Sequence, residues 1–176
     1  AAMAFGTPTI RSSNVIVGPG NIFVTEAKRQ VYGRVGLDSL AGPSEVIIIA
    51  SASAQPDLIA IDLLAQVEHG SGAIAVLVCS SEELAAAVEA LVFSQAKALG
   101  IDSALLDQIS LVLTTGDDPI GVAIDFSNEF APEHLQIHTE HPEQEIHEIT
   151  AAGALFLGED VCTAYGDYIA GSHHVL

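Results

Sequence analysis

The sequence predicts an α/β protein with a mostly parallel sheet and helices on both faces. Apolar runs rich in β-branched residues alternate along the chain with segments of helical periodicity. These runs are continuous, as in strands that are buried on both faces of a parallel sheet. Each run is separated from the next by a segment long enough for a crossover helix, and right-handed crossovers are expected.

The predicted elements follow one another in a regular order. Strands are predicted over residues 14–17, 45–51, 73–80, 110–115, 134–138 and 154–158. Helices are predicted over residues 21–33, 57–70, 81–100, 117–130 and 142–153. Gly-Pro-Gly leads into the first helix and Gln-Pro into the second, while Ser81 is suited to cap the third and Gly100 to end it. The final segment, residues 164–176, is rich in glycine and is predicted to be a loop.

A domain boundary is predicted at Gly36–Glu45, where two glycines and a proline interrupt the pattern. Residues 1–43 hold one strand and one helix, too little for a domain, and are interpreted as the tail end of a first α/β domain. Residues 44–176 are then the main α/β domain. The chain opens on what resembles the last turn of a helix, so we expect it to be a segment of something larger.

Composition excludes several classes of protein. The 176 residues are 49% hydrophobic, which is enough for an ordinary core and excludes a disordered chain. The net charge of −18 argues against nucleic acid and membrane surfaces as partners, because their phosphates require Lys and Arg. No apolar run reaches the roughly 18 residues of a membrane span, and no secretory signal is recognisable, so a cytoplasmic protein is expected. Two cysteines are too few for a disulfide framework.

Gln66 and His69 form the first candidate site. They are three residues apart at the end of a predicted helix, and such residues share one helix face. The amide and imidazole can therefore bind one metal ion, or His69 can be a structural residue that complements the helix dipole. Asp167 follows the last strand, where ligand sites of α/β sheets gather, and can complete the donor set. Such a set suits zinc, with manganese or cobalt as alternatives.

Glu133 and His134 form the second candidate site, at the start of a predicted strand. Side chains alternate along a strand, so the two are expected to project to opposite sides unless the loop redirects one of them. A carboxylate beside an imidazole can divide proton transfers, one group activating water while the other moves a proton of the substrate. The alternative interpretation is a solvated pair at a strand start.

Six blocks of sequence together resemble histidinol dehydrogenase. In chain order they are IVGPGNIFVTEAKRQVYG, AGPSEVIIIA, DLLAQVEHG, PEHLQI, GALFLG and GDYIAGSHHVL. The family is a zinc enzyme of histidine biosynthesis that oxidises L-histidinol to L-histidine through histidinaldehyde with two NAD. The resemblance implies a Rossmann-like fold that is incomplete relative to the full-length family, with residues 1–43 on the cofactor side and residues 44–176 carrying the metal and catalytic residues.

The resemblance also implies roles for individual residues. His134 would take the proton of the alcohol, and Glu133 would activate water in the aldehyde step. The implied zinc ligands are Gln66, His69 and Asp167. The implied substrate contacts are Ser44, His134, Asp167 and His174. Asn21 corresponds to a residue that contacts the cofactor.

Two segments of the full-length family are missing from this sequence. One is an N-terminal region, and the other is a C-terminal arm that supplies a further zinc-binding His and a Glu across a dimer. The remaining zinc ligand would therefore come from water, His173 or another chain. Two hypotheses follow: a part of a homodimeric or more highly associated dehydrogenase that is incomplete or inactive as an isolated chain, or a non-catalytic, self-associating α/β module that keeps a partial metal site.

Overall fold

The chain folds into two units, one within residues 1–42 and the other within residues 43–174. The computed structural model describes residues 1–18, 20–38, 40, 42, 44–70 and 72–170, and for Asp167 and Tyr168 it describes the backbone only. The larger unit contains the five-stranded sheet. The assignment of the smaller unit to the cofactor side stays a prediction.

The smaller unit contains two helices and two short parallel strands. In chain order these are α1 (Ala2–Phe5), β1 (Val15–Ile16), α2 (Ile22–Gln30) and β2 (Gly36–Leu37). Helix α2 begins at Asn21, whose side-chain oxygen accepts hydrogen bonds from the backbone N–H groups of Phe23 and Val24. Near its other end, the buried Lys28 Nζ donates to Gly18 O at 2.6 Å and to Asp38 Oδ1 at 2.7 Å. This lysine therefore ties the segments that follow β1 and β2 to helix α2.

The larger unit is built on a sheet in which every neighbouring pair of strands is parallel, which confirms the predicted fold class. Its strands lie in the order β5-β4-β3-β6-β7. They are β3 (Glu45–Ala50), β4 (Ile74–Cys79), β5 (Ile109–Leu113), β6 (His134–His138) and β7 (Ala154–Leu157).

Helices cover both faces of this sheet. The longer ones are α3 (Pro56–Val67), α4 (Glu82–Leu99) and α5 (Pro119–Phe130), and the shorter ones are α6 (Pro142–Glu145) and α7 (Thr163–Tyr168). Helices α3 and α4 pack against one face, where Ile48, Leu63 and Leu77 are fully buried. Helix α5 packs against the other face, over Ile49 and Leu135. Burying each such side chain stabilises the fold by about 1.5–3 kcal/mol, so the unit holds two substantial cores.

All strands of this sheet run in one direction, so it has an amino edge and a carboxyl edge. Helix α3 begins at the carboxyl edge, where the backbone N–H and the side-chain amide of Gln55 each donate to Glu159 at 2.8 Å. It runs back antiparallel to the strands and ends at the amino edge. The C-terminal turn of α3 therefore lies beside the first residues of β3 and β6, which pair in the register Val46 with His134.

Two predicted elements were wrong in the final third of the chain. The helix predicted over residues 142–153 is a single turn, α6, followed by a 3-10 turn, because neither turn has a buried residue to hold a longer helix in place. The loop predicted over residues 164–176 begins instead with helix α7, in which Gly166 is buried. None of the helices in the described residues combines the length and the apolar character needed to cross a membrane.

Candidate active site

The amino edge of β3 and β6 brings four of the predicted site residues together. Ser44 directly precedes β3, and Glu133 directly precedes β6. The Glu45 backbone N–H donates to Glu133 Oε2 at 3.2 Å, which joins the two strand starts. Gln66, in the last turn of α3, donates to Ser44 Oγ through its Nε2 at 2.9 Å. Four of the residues predicted to contact the substrate, bind the metal or transfer protons thus lie at one edge of the sheet.

The backbone around Glu133 is fixed by its neighbours. Ala131 ends helix α5 in the left-handed conformation, with φ of 57°, which turns the chain sharply into the buried Pro132. The N–H groups of Gly153 and Ala154 donate to the carbonyls of Pro132 and Glu133, at 2.9 and 2.8 Å. A Cβ atom on Gly153 would lie 2.6 Å from the Glu133 carbonyl oxygen, so only glycine permits this approach.

Glu133 and His134 are close to each other although they are consecutive. Glu133 Oε2 lies 3.6 Å from His134 Nδ1, and the two side chains are 18% and 5% exposed. The expected projection to opposite sides does not occur, because Glu133 precedes the strand and its side chain follows the turn at Pro132 rather than the strand alternation. The His134 ring also packs against Phe156 of β7, with ring centroids 5.9 Å apart. The solvated-pair interpretation is therefore wrong for these two largely buried side chains.

Gln66 and His69 lie on either side of the end of helix α3. Gln66 is buried, whereas His69 lies beyond the helix end in an exposed turn, and its backbone N–H donates to Gln66 O at 3.2 Å. Gly70 follows with φ of 103°, a conformation that suits glycine and stops the helix. The helix thus delivers the amide to the buried edge and the imidazole to the surface beside it. That Gln66 and His69 bind one metal ion stays a prediction.

The remaining predicted site residues are Asn21 in the smaller unit and Asp167 and His174 near the end of the sequence. Asp167 belongs to helix α7, but only its backbone is described. His173 and His174 lie outside the described residues. Asn21 lies in the smaller unit, where its Oδ1 caps helix α2. A contact between Asn21 and a cofactor stays a prediction.

One atom at the amino edge, the side-chain oxygen of Gln66, is suited to bind a zinc ion. Because Gln66 Nε2 donates to Ser44, the oxygen of this amide is the atom that remains for a cation, and a side-chain amide oxygen is among the neutral ligands of divalent cations. In the described residues no three His, Cys, Asp or Glu side chains cluster closely enough to hold a metal ion. A complete site would therefore need ligands beyond Gln66 and His69, such as Asp167.

Sequence reasoning missed three polar residues farther along this face of the sheet: Asp62 in α3, Gln136 in the middle of β6 and His138 at its carboxyl end. Burial raises the pKa of the Asp62 carboxyl, and a polar contact with the Gln136 side chain partly offsets that rise. Burial lowers the pKa of the His138 imidazole, and the charge of Glu159 partly offsets that fall. The signal was present in the sequence HLQIH, where every second residue of a buried strand is polar.

Glu45 is a further missed residue, directly beside Ser44. Burial raises the pKa of its carboxyl, and the negative charge of Glu133 raises it further, while a hydrogen bond with the Glu133 backbone acts in the opposite direction. Two carboxyl groups therefore share the start of the β3 and β6 pair. One of them, Glu133, was predicted from its neighbour His134, whereas Glu45 became apparent only from the strand pairing.

Solved structures first define the class of fold. Gamma-glutamyl phosphate reductase from Thermotoga maritima matches with a TM-score of 0.57 at 14% identity, covering 88% of this chain and 43% of that one. A mutant propionaldehyde dehydrogenase from Clostridium phytofermentans matches with a TM-score of 0.54 at 14% identity, covering 99% and 52%. At such identities the likeness concerns the fold alone, which is a Rossmann-like α/β fold.

Sequence comparison then defines the family. The histidinol dehydrogenase family matches residues 1–176. Histidinol dehydrogenase of Methanothermobacter thermautotrophicus is 49% identical, covering 100% of this chain and 42% of that protein. The enzyme of Thermosynechococcus vestitus is 46% identical, with 100% and 41% covered. The solved structure of histidinol dehydrogenase from Elizabethkingia anophelis matches with a TM-score of 0.82 at 40% identity, covering 98% and 40%.

The chain therefore belongs to the histidinol dehydrogenase family, a family of oxidoreductases in histidine biosynthesis. It spans about two-fifths of the length of the curated relatives that it matches.

Proposed function

We propose that this chain forms the metal and proton-transfer part of a histidinol dehydrogenase, which oxidises L-histidinol to L-histidine through histidinaldehyde with two NAD. The single observation that supports this best is the convergence of Ser44, Gln66, Glu133 and His134 at one edge of the sheet. Four polar residues of the kinds needed for binding and proton transfer meet there although they are far apart in sequence. We propose a cytoplasmic location and assembly into a homodimer or larger oligomer.

In the first oxidation, the imidazole of His134 accepts the proton of the substrate hydroxyl. NAD, when bound, would take up the hydride from the same carbon, so that the products are the aldehyde and NADH. Glu133 assists because its carboxylate lies 3.6 Å from His134 and stabilises the imidazolium that forms. The low exposure of both side chains strengthens this attraction, since little water screens it.

In the second oxidation, Glu133 accepts a proton from a water molecule that attacks the aldehyde carbon. The resulting oxyanion of the aldehyde hydrate would give its hydride to a second NAD and become the carboxylic acid. His134 serves again as the acceptor of the second hydroxyl proton. The backbone clamp at Gly153 keeps the Glu133 carboxylate in place for this step.

Zinc would be held by the Gln66 oxygen, His69 and Asp167, with further ligands from water, His173 or another chain. When bound, it supplies a positive charge that fixes the amino and imidazole groups of histidinol. The Ser44 hydroxyl accepts a hydrogen bond from the Gln66 amide nitrogen, which leaves the amide oxygen for the ion. In this proposal the Ser44 hydroxyl also contacts the substrate.

The charge distribution supports a cofactor contact in the smaller unit. Residues 1–42 contain four of the five basic residues and only two of the 23 acidic ones, a net charge of +2. Residues 43–176 carry a net charge of −20, and the two parts together give the total of −18. The pyrophosphate of NAD is anionic, so the smaller unit, with Asn21, attracts it while the larger unit repels it.

Zinc binding by the isolated chain tests the metal part of this proposal. We expect zinc to raise the melting temperature, because a ligand at 100 times its Kd stabilises the folded state by about 2.7 kcal/mol. His69→Ala and Asp167→Ala should abolish the shift, whereas His147→Ala, another exposed histidine, should keep it. A shift of equal size in all four proteins would contradict the proposed ligands.

Activity tests the proton transfers. Purified chain is mixed with L-histidinol, NAD and zinc over a range of protein concentrations, and NADH is followed. We expect zinc binding without turnover, because the chain spans about two-fifths of its relatives. If turnover appears and rises more than linearly with protein concentration, the chain assembles a working site by self-association. Glu133→Gln should then slow the aldehyde step and spare the alcohol step.

A second candidate function, a self-associating module without catalysis, is favoured by the surface of the smaller unit. In the described residues, nine large hydrophobic side chains of residues 1–42 are exposed, among them Val17, Ile22 and Phe23 at 71%, 77% and 79%. Exposed apolar area of this kind marks interaction surfaces. Light scattering that shows an oligomer, together with no zinc-induced stabilisation, would favour this function over the dehydrogenase.

A further inference from the structure

The imidazole of His134 is contacted by groups from two different segments of the larger unit. Glu133 Oε2 lies 3.6 Å from its Nδ1. The phenyl ring of Phe156 in β7 lies with its centroid 5.9 Å from the imidazole centroid, at an angle of 52° between the ring planes. His134 and Phe156 are only 4% and 7% exposed. Aromatic pairs at such distances attract each other beyond the area that they bury, so these contacts restrict the orientation of the imidazole.

The strand register explains how Phe156 reaches this imidazole. Across the parallel strands β6 and β7, His134 pairs with Ala154. The next pair on the same face of the sheet is Gln136 with Phe156, so Phe156 is the diagonal neighbour of His134. Aromatic side chains are long enough to contact such diagonal neighbours. Ala154, directly beside His134, has only a methyl group, which leaves the space next to the imidazole to the phenyl ring.

The carboxylate of Glu133 determines which nitrogen of the imidazole accepts a proton. A neutral imidazole carries its proton on one ring nitrogen and accepts at the other. The carboxylate beside Nδ1 attracts the proton to that atom, so Nε2 becomes the acceptor. This preference holds only while the ring keeps Nδ1 turned toward Glu133. A half-turn of the ring would bring a carbon atom to that place and remove the preference.

We propose that Phe156 is a positioning residue that holds the His134 ring with Nδ1 toward Glu133, so that Nε2 accepts the proton of the substrate hydroxyl. The inference rests on the proposed function, in which His134 is the proton acceptor. Phe156 acts only through His134. The phenyl ring also favours the protonated state, because an aromatic face attracts a cation whose distance from the ring centroid is within about 6 Å.

Nitrogen NMR of the purified chain with isotope-labelled histidine tests this positioning. The chemical shifts of the two ring nitrogens report which of them carries the proton, and the spectrum of His134→Gln identifies the His134 signals. At a pH where the imidazole is neutral, we expect a single tautomer in the wild type, with the proton on Nδ1. Phe156→Leu keeps an apolar side chain but removes the ring. In this variant the other tautomer should rise about fivefold relative to the first, because losing an aromatic contact of about 1 kcal/mol changes a ratio by that factor.

Two matched variants separate positioning from a general loss of stability. Phe156→Tyr keeps the aromatic ring and should keep the wild-type ratio of tautomers. Leu155→Ala shortens a side chain of β7 that packs against the core on the opposite face, and it should lower the melting temperature without changing the ratio. If Leu155→Ala changes the ratio as much as Phe156→Leu does, or if Phe156→Leu leaves it unchanged, Phe156 only packs the fold and the proposal is overturned.

Two further observations keep the test decisive. A wild-type spectrum with the proton on Nε2 overturns the proposal whatever the variants show. If Phe156→Leu does not fold, Phe156→Met takes its place with the same expected rise, because the flexible methionine side chain fills irregular space without an aromatic face.

The proposed function is judged separately, by the zinc-induced rise in melting temperature. If zinc stabilises the chain while the tautomer ratio does not depend on Phe156, the positioning role alone fails. If zinc does not stabilise the chain, the proposed function fails, and the tautomer ratio still decides whether Phe156 holds the His134 ring.

Discussion

The two units of this chain differ in how they bury their strands. In the larger unit, a five-stranded sheet has helices on both faces, and residues such as Ile48 and Leu64 are fully buried. In the smaller unit, β1 and β2 form a sheet of two strands, and the described residues that are buried are Ala4, Lys28 and Val31. Two short strands offer too little area for a core. The number of strands, rather than the hydrophobicity of each, therefore decides which unit has a core.

The units also differ in charge, in a way that separates stability from binding. The larger unit holds both apolar cores and carries 21 of the 23 acidic residues, whereas the smaller unit combines a net positive charge with an apolar surface. Stability therefore comes from one unit, and the features suited to anionic or apolar partners come from the other. Substitutions in the two units should differ accordingly.

The largest difference is expected from truncating one apolar side chain in each unit. Leu64→Ala removes a fully buried side chain of α3 and should lower the free energy of unfolding by about 2–5 kcal/mol. Val15→Ala, at a side chain that is 58% exposed, should lower it by less than about 0.5 kcal/mol. Urea denaturation measures both. Equal losses would show that the surface of residues 1–42 is covered in solution, by a second copy of the chain.

A smaller difference is expected from adding one methyl group to a glycine in each unit. In Gly153→Ala the new Cβ meets the Glu133 carbonyl oxygen at 2.6 Å, and backbone must move, at a cost of about 1–3 kcal/mol. In Gly36→Ala the nearest atom is a Val15 methyl at 3.1 Å, which can turn away, so we expect less than about 1 kcal/mol. Thermal unfolding compares the two variants. An unchanged melting temperature in Gly153→Ala would show that the backbone at Glu133 can move away from residue 153 at little cost.

The smallest effect is the pH dependence that His138 gives to the larger unit. Burial lowers its pKa below the usual value of 6.5, so the unfolded chain binds the proton more readily. Its contribution to stability is complete above pH 6.5 and is lost as the pH falls toward the folded pKa. One pH unit below 6.5, the loss approaches about 1.4 kcal/mol at most.

Matched variants isolate this contribution. Between pH 7.5 and 5.5, His138→Gln should lose less stability than wild type, when both are measured by urea denaturation. His141→Gln, at a side chain that is 67% exposed, should follow wild type. If the free energy of unfolding of His138→Gln changes with pH as much as that of wild type, the His138 imidazole is hydrated in the folded wild-type protein.

Sequence patterns identified the regular parts of the fold and failed where helices are short. Continuous apolar runs predicted β3 to β7, and Ser81 and Gly100 were correctly identified as the cap and the end of α4. The helix expected after residue 142 shortened to one turn, and α7 replaced part of an expected loop. Short helices have too few internal hydrogen bonds to be specified locally, so their neighbours decide their length.

The sequence predicted which residues belong to the candidate site, but it did not predict which of them contact one another. Motif resemblance pointed to Ser44, Gln66, Glu133 and His134, yet nothing local indicates that Ser44 accepts a hydrogen bond from Gln66, 22 residues away. A ligand site was expected at Asp167, after the last strand. Ser44, Glu133 and His134 lie at the amino edge because they stand at the starts of β3 and β6, and Gln66 joins them because α3 runs back along the sheet before it ends.

The sequence by itself determined the α/β class, the order of the main elements and the chemical types gathered for the site, because these depend on periodicity and on residues close in the chain. Only the tertiary structure decided which edge of the sheet holds the site, how Glu133 turns toward His134, and why β6 buries three polar residues. Those features depend on strand order and on the direction of α3, and both are set by packing between segments that are distant in the chain.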